Sequence, residues 1–247
     1  EDDGLGFSLK WNMGWRNDFL EYMKLDPYFR KDNHNKMTFS MTYAYSEKYI
    51  LVISHDEVVH LKKSMLEKMP GNMDDKFKNL KAAYTFMFCH PGKKLLFMGQ
   101  EFGQLREWSE ERELDWFLLG EEKHRDLKDF VQGLLKMYRK YPALYAMDTD
   151  PSGFEWINAD DGYRSIYSFV RKSPTGRNNL LVVCNFTPVE RPDYRVGVPK
   201  KKQYTLVMDE NGMTGKKVFK AEKKDCDNRP FSFAYPLPAY GIAIFQY

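Results

Sequence analysis

The chain has 247 residues, enough for one large or two ordinary domains. With 30% charged and 43% apolar residues and a mean hydropathy of -0.64, it reads as a folded globular protein, which excludes a disordered, fibrous or membrane-embedded class. A net charge of +3, from 38 basic and 35 acidic residues, promises no nucleic-acid groove and no anionic-lipid surface, and favours neutral or polar partners.

Three sparse cysteines, Cys89, Cys184 and Cys226, argue against a disulfide framework and for a reducing cytoplasm, and they have no zinc spacing. No stretch approaches the roughly 18 consecutive apolar residues of a membrane helix. The opening Glu1-Asp2-Asp3 has neither an initiator Met nor a signal-peptide pattern, so the chain is expected to begin mid-protein. Aromatic residues reach 16%. Most are expected in a Phe-rich core, with some rings left as sugar-stacking platforms.

The first 141 residues alternate β-type runs with helical patterns. Residues 5–11 alternate with period two and predict a strand; Trp15, Phe19, Tyr22 and Met23 follow at helical spacing until Asp26-Pro27. A second strand is expected over 49–54. After a loop around Pro70-Gly71-Asn72, a helix runs over about 74–90, its face drawn by Phe77, Leu80, Tyr84, Met87 and Phe88 and its end marked by Pro91-Gly92. Residues 94–98 form the third strand. A long loop from Gly99 to about Glu122 leads to a helix striped by Leu127, Phe130, Val131, Leu134, Leu135 and Tyr138 and stopped by Pro142. Such repetition implies a parallel sheet flanked by helices.

Beyond about residue 148 the helical period disappears. Short strands over 154–157, 165–170, 180–184, 204–208 and 241–245 are separated by the turn signals Asp160-Asp161-Gly162, Pro174-Thr175-Gly176, Asn211-Gly212 and Pro236-Leu237-Pro238. They predict a separate antiparallel β domain, a sandwich. Lys200-Lys201-Lys202 reads as a solvated turn.

Polar clusters fall directly after each early strand: Trp11-Asn12, His55-Asp56-Glu57 and Gln100-Glu101. In a parallel sheet the carboxyl ends share one edge, so these side chains are expected to converge there as a candidate active site. Asp56 and Glu57 are consecutive and point apart, whereas Asp56 and Glu101 on neighbouring strands could stand at the roughly 5 Å spacing of a retaining glycosidase pair. A structural or binding role for both is the alternative. Glu57 to His60 and Glu121 to His124 spell Glu-x-x-His, but the di-iron pattern needs helices and Glu57 follows a β-branched strand end, so no metal site is expected. His34, His90 and His124 are assigned surface or capping roles.

Several runs together resemble bacterial 1,4-α-glucan (glycogen) branching enzymes of the α-amylase superfamily, glycoside hydrolase family 13. They are Lys10-Trp11-Asn12-Met13-Gly14-Trp15, Tyr22-Met23-Lys24-Leu25-Asp26-Pro27, Ser54-His55-Asp56-Glu57-Val58-Val59-His60, the stretch from Pro91 to Gln104, Arg106-Glu107-Trp108, Leu114-Asp115-Trp116, Gly153-Phe154-Glu155-Trp156 and Asn185-Phe186-Thr187-Pro188-Val189. The resemblance runs nearly the whole chain. It implies an α/β plus all-β architecture: residues 1–145 as the C-terminal part of a (β/α)8 barrel, about strands six to eight, and 146–247 as an antiparallel β-sandwich. The family's nucleophilic Asp and general-acid Glu lie on strands four and five, in motifs absent from this sequence, so the fragment alone is expected to be inactive.

By the resemblance, Asp56 is the third carboxylate, which stabilises the oxocarbenium-like transition state, and this displaces the Asp56–Glu101 couple. His55, Glu57, Trp11, Gln100, Glu101 and Trp108 are the expected substrate-binding residues, with Trp116 a further glucan platform. The implied reaction cleaves an α-1,4 bond and forms an α-1,6 branch. No metal or organic cofactor is implied. The implied partners are an α-glucan polysaccharide and the missing N-terminal half of the same enzyme, with self-association of the fragment through its open barrel edges; no nucleic acid or membrane is expected. Two other readings are a glucan-binding module acting through the sandwich and another superfamily enzyme, such as a trehalose-forming hydrolase. Leu61 departs from the family, where Gly is expected after Val-Val-His, and this bears on the conformation of the following loop.

Overall fold

A computed structural model describes residues 5–215 and 217–247. Three parallel strands, β1 (Lys10–Trp11), β2 (Tyr49–Ile53) and β3 (Lys93–Leu96), form one sheet in the order β1-β2-β3. The pairing Ile50 to Lys93 through Ile53 to Leu96 brings the ends of β2 and β3 level. The strand expected over 5–11 shrinks to Lys10–Trp11, because Leu5 and Phe7 stand 94% and 83% exposed with nothing to pack on. Its acidic leader lies outside the described residues.

Helix α1 (Met13–Lys24) starts at Asn12, whose side chain accepts from Trp15 N, and buries Trp15, Phe19, Tyr22 and Met23 as their spacing requires. Short helices α2 (Pro27–Arg30), α3 (Asn35–Thr38) and α4 (Met65–Lys68) follow around β2. Helix α5 (Met73–Cys89), capped by Asn72, is buried on nearly every side, from Phe77 to Cys89. Helix α6 (Glu122–Lys140) is amphipathic as expected, except that Leu135 is 50% exposed.

The C-terminal part builds a seven-stranded antiparallel sheet from β4 (Phe154–Asn158), β5 (Ile166–Arg171), β6 (Leu180–Asn185), β8 (Gln203–Asp209), β9 (Gly212–Met213), β10 (Val218–Lys220) and β12 (Ile242–Gln246). A two-stranded ribbon, β7 (Arg191–Val198) with β11 (Phe231–Leu237), covers one face. The sheet is therefore a middle layer. Tyr167, Phe169, Leu180, Val182, Ile242 and Ile244 join the core of α5 and α6. Their alternating neighbours, such as Ile166, Val170, Leu181, Val183, Ala243 and Phe245, join the core under the ribbon. Pro236-Leu237, read from sequence as a turn, instead ends β11. A proline fits there because the ribbon has only two strands, and both are edges.

Candidate functional site

At the end of β2 the chain enters a single turn of 3-10 helix, His55–Glu57. Ser54 caps it, and the Glu57 carboxylate reaches back to accept from Ser54 N at 2.6 Å and Ser54 Oγ at 2.9 Å. The other Glu57 oxygen accepts from Arg16 Nη1 of α1 at 2.6 Å. With Glu57 turned inward and 5% exposed, its neighbours must point outward. His55 and Asp56 are half-exposed and adjacent, Nε2 to Oδ1 3.3 Å. The His55 ring rests against Phe97 and Trp108, centroids 5.9 and 6.4 Å away. Trp108 is held in turn by Phe97 at 5.2 Å and by its backbone N–H on Val58 O at 2.9 Å.

The loop after Asp56 is clamped from both sides. From inside, the Lys68 ammonium donates to the carbonyls of Glu57, Lys62 and Lys63. From outside, Glu107 accepts from Leu61 N at 3.0 Å and Lys63 N at 2.6 Å, and these bonds hold its carboxyl below the usual range. Between the clamps the backbone is left-handed at His60, Leu61 and Lys63, with φ of 54°, 64° and 68°. The position where glycine was expected thus adopts the conformation glycine favours, with a leucine 95% exposed.

The remaining sequence-derived residues divide. Trp11 and Trp116 are 42% and 48% exposed, and the Trp116 ring lies 5.2 Å from that of Phe102. Asn12 is buried as the α1 cap. Gln100 is 4% exposed, its amide directed at Ile53 O at the long distance of 3.5 Å, so a direct substrate contact is not open to it as placed. Glu57, similarly committed on both oxygens, holds the turn rather than facing outward. Glu101 accepts from Gly99 N at 2.7 Å and opens onto a groove with Phe97 and Met98, whereas Asp56 lines a different depression with Arg16, Lys24 and Lys68. Asp56 and Glu101 thus line separate depressions on the carboxyl edge.

No group of three His, Cys, Asp or Glu suited to a metal occurs among the described residues. His60 sits in the left-handed loop rather than on a helix. Of the surface or capping roles expected for the other histidines, the surface reading is corrected for His90 and His124, which are buried, while His90 stands at the C-cap of α5 and His34 at the N-cap of α3. His90 is fully buried between Ser40 Oγ and Pro91 O, and burial pushes it down to about 3. His124 is buried on Phe102 O, and His34 stacks on Tyr167 at 4.2 Å. Sequence reasoning missed Arg16, Lys68 and Glu107. Glu107 lies inside the Arg106-Glu107-Trp108 run, but nothing local marks Arg16 or Lys68, whose partners are 41 and 5 to 11 residues away.

Residues 156–247 match the family model of the alpha amylase C-terminal all-beta domain. The whole chain is 58% identical to the 1,4-alpha-glucan branching enzyme GlgB of Butyrivibrio fibrisolvens, covering 40% of that protein. Against the Aquifex aeolicus (strain VF5) enzyme of the same name, 97% of the chain is 48% identical and covers 39%. The fold matches a type I pullulanase from Bacillus subtilis str. 168, solved with maltose, at a TM-score of 0.68 and 14% identity, over 96% of this chain and 35% of that one. The chain thus spans about two fifths of the length of the curated relatives it matches. Over its full extent the chain is thus closely similar to part of the 1,4-alpha-glucan branching enzymes named GlgB, and its C-terminal side matches the alpha amylase C-terminal all-beta domain.

Proposed function

We propose that the chain supplies the C-terminal part of a retaining, cytoplasmic 1,4-α-glucan branching enzyme, which cleaves α-1,4 bonds and forms α-1,6 branches. Residues 1–145 are the last part of its (β/α)8 barrel, with β1, β2 and β3 as about strands six to eight, and 146–247 are its sandwich. Asp56 grips sugar hydroxyls more strongly as the ring flattens toward the oxocarbenium-like transition state. His55 donates to the same sugar, and Trp108, Trp11 and Trp116 offer flat faces to the α-glucan. The nucleophile and general acid come from the N-terminal part, so the chain alone does no chemistry and associates through the surfaces that part would cover.

One observation carries this reading: the buried Glu57 carboxylate fixes a turn that presents His55 and Asp56 outward at the carboxyl end of a parallel strand, against Trp108. The test joins residues 5–247 to the N-terminal three fifths or so of the Butyrivibrio fibrisolvens relative in one polypeptide. Amylose treated with it, then debranched and sized, should show new α-1,6 linkages that the unjoined chain does not make. In the joined enzyme Asp56→Asn should lower kcat by roughly a hundred- to a thousandfold with KM little changed, since a charge matched to the transition state is worth about 3 to 4 kcal/mol. Glu101→Gln should be milder. Near-normal kcat in Asp56→Asn would sink the assignment.

A further inference from the structure

A cavity of about 520 Å³ lies at one end of the seven-stranded sheet, where the β6–β7 and β11–β12 connections meet α2 and the turn before α5. Its size falls within the roughly 300–1,000 Å³ of small-ligand sites. It shares no lining residue with the depression beside Asp56.

Two rings stand on its lining almost bare: Tyr28 is 68% exposed and Tyr163 87%. Each sits on a short turn tied to the body of the protein. Asp26 caps the Tyr28 backbone N–H at 2.9 Å, and Lys31 lies over the Tyr28 ring at 4.7 Å, leaving the opposite face free of that cation. Tyr163 occupies the turn Gly162–Arg164, whose glycine lies so close to His34 that an added Cβ would stand 3.3 Å from it. Arg164 pairs with Asp161 at 2.7 Å in the same turn. The two turns are thus anchored at their backbones, so a ligand that stacks on the rings need order little main chain. A tyrosine combines a flat apolar face with a polar tip, which suits a surface that is apolar on its faces and hydroxylated at its rim.

The polar lining is balanced. Asp26 and Asp75 offset Lys31 and Arg191, so the cavity has no net formal charge with which to select an anion or a cation. The Arg191 guanidinium makes no hydrogen bond or ion pair among the described residues, and its Nε is buried without a partner. Donors and acceptors set side by side, with an unused donor among them, fit a neutral ligand whose hydroxyls both give and accept hydrogen bonds.

We propose that this cavity is a second carbohydrate site, which holds a short stretch of neutral glucan between Tyr28 and Tyr163 with Arg191 donating to its hydroxyls. The identity of the sugar rests on the branching-enzyme reading; the site itself rests on the cavity. Its use is to tether one part of a polymer while another part reaches the His55–Asp56 edge.

Calorimetric titration of the 247-residue chain with maltoheptaose tests it. The Tyr28→Ala/Tyr163→Ala double variant should weaken binding by about tenfold or more, as two stacking contacts together allow. Arg191→Met should weaken it less. Both tyrosines are surface residues, so the thermal melt of the double variant should match the parent's. An unchanged affinity in the double variant, no saturable binding by the parent chain, or loss of binding in Trp108→Ala instead would overturn the site. A joined enzyme that makes no branches while the chain still binds maltoheptaose through Tyr28 and Tyr163 would overturn the branching reading and leave the site standing.

Discussion

Two side chains act against their local preferences around the loop after Asp56, one within it and one clamping it from α4, and both effects are measurable. Leu61 holds φ at +64° in solvent, a conformation that costs an L-residue about 1 to 2 kcal/mol. Leu61→Gly should therefore raise the free energy of unfolding by about 1 kcal/mol after glycine's extra chain entropy is subtracted. Urea titration checks it, and a lower value would mean the loop does not hold this conformation. Lys68 is the second case. Burial pushes its ammonium down to about 8 from an ordinary 10.5, even though it donates to three carbonyls. Between those values the unfolded chain binds the proton more fully than the folded one, so this group's contribution to stability rises with pH from about 8 and levels off above 10.5. Lys94, lowered to about 7 by burial, adds to the same rise. Lys68→Met should reduce the slope without abolishing it. The difference between variant and parent urea midpoints across pH 8 to 10 isolates the Lys68 part, and parallel curves would refute it.

Among elements, the seven-stranded sheet and α5 explain each other. Because the ribbon covers one face and α5 with α6 covers the other, β5, β6 and β12 bury both sets of alternating residues. Continuous apolar runs result. The layers are pinned by two fully buried arginines. Arg30 donates to Met23 O, Phe186 O and Asn79 Oδ1, while Arg171 on β5 donates to Cys89 O at the end of α5 and to Asp148 Oδ1 at 2.9 Å. Removing a partner from a buried pair leaves an uncompensated charge, so Asp148→Ala should cost about 3 to 5 kcal/mol. Lys93, half-exposed and also on Asp148, should cost less than about 1 kcal/mol when changed to Met. Equal losses in the two variants, read from denaturant midpoints, would contradict the burial argument.

At the scale of the molecule, the parallel sheet is left open. Strands β1 and β3 are its outer members, and beside β3 lies a groove of about 550 Å³ lined by Phe97, Met98, Leu135 and Tyr138, of which Met98 and Leu135 are each 50% exposed. Leu135 belongs to the apolar stripe of α6 yet stands half in solvent, so the helix is amphipathic for a surface larger than the one it covers. Light scattering should find the chain associated at micromolar concentration. Leu135→Lys should shift it toward monomer, and a parent chain that stays monomeric on concentration would count against the open-face reading.

The sequence by itself determined the long elements and their order. Periodicity placed α1, α5, α6 and the buried strands, because amphipathic period and cap residues are local properties. It also put Trp11, His55, Asp56, Glu57, Gln100 and Glu101 after parallel strands, since that topology sends every carboxyl end to one edge. Tertiary structure alone decided which of those side chains face outward. Glu57, tied locally to Ser54, is also drawn inward by Arg16 from 41 residues away, and Gln100 is buried with its amide toward Ile53 O of β2. It decided equally that 5–9 would not pair, that β7 and β11 would, and that His34, His90 and His124 would be structural. Each outcome depends on what lies opposite in space, and a free energy set by contacts between distant residues leaves no period in the chain to be read.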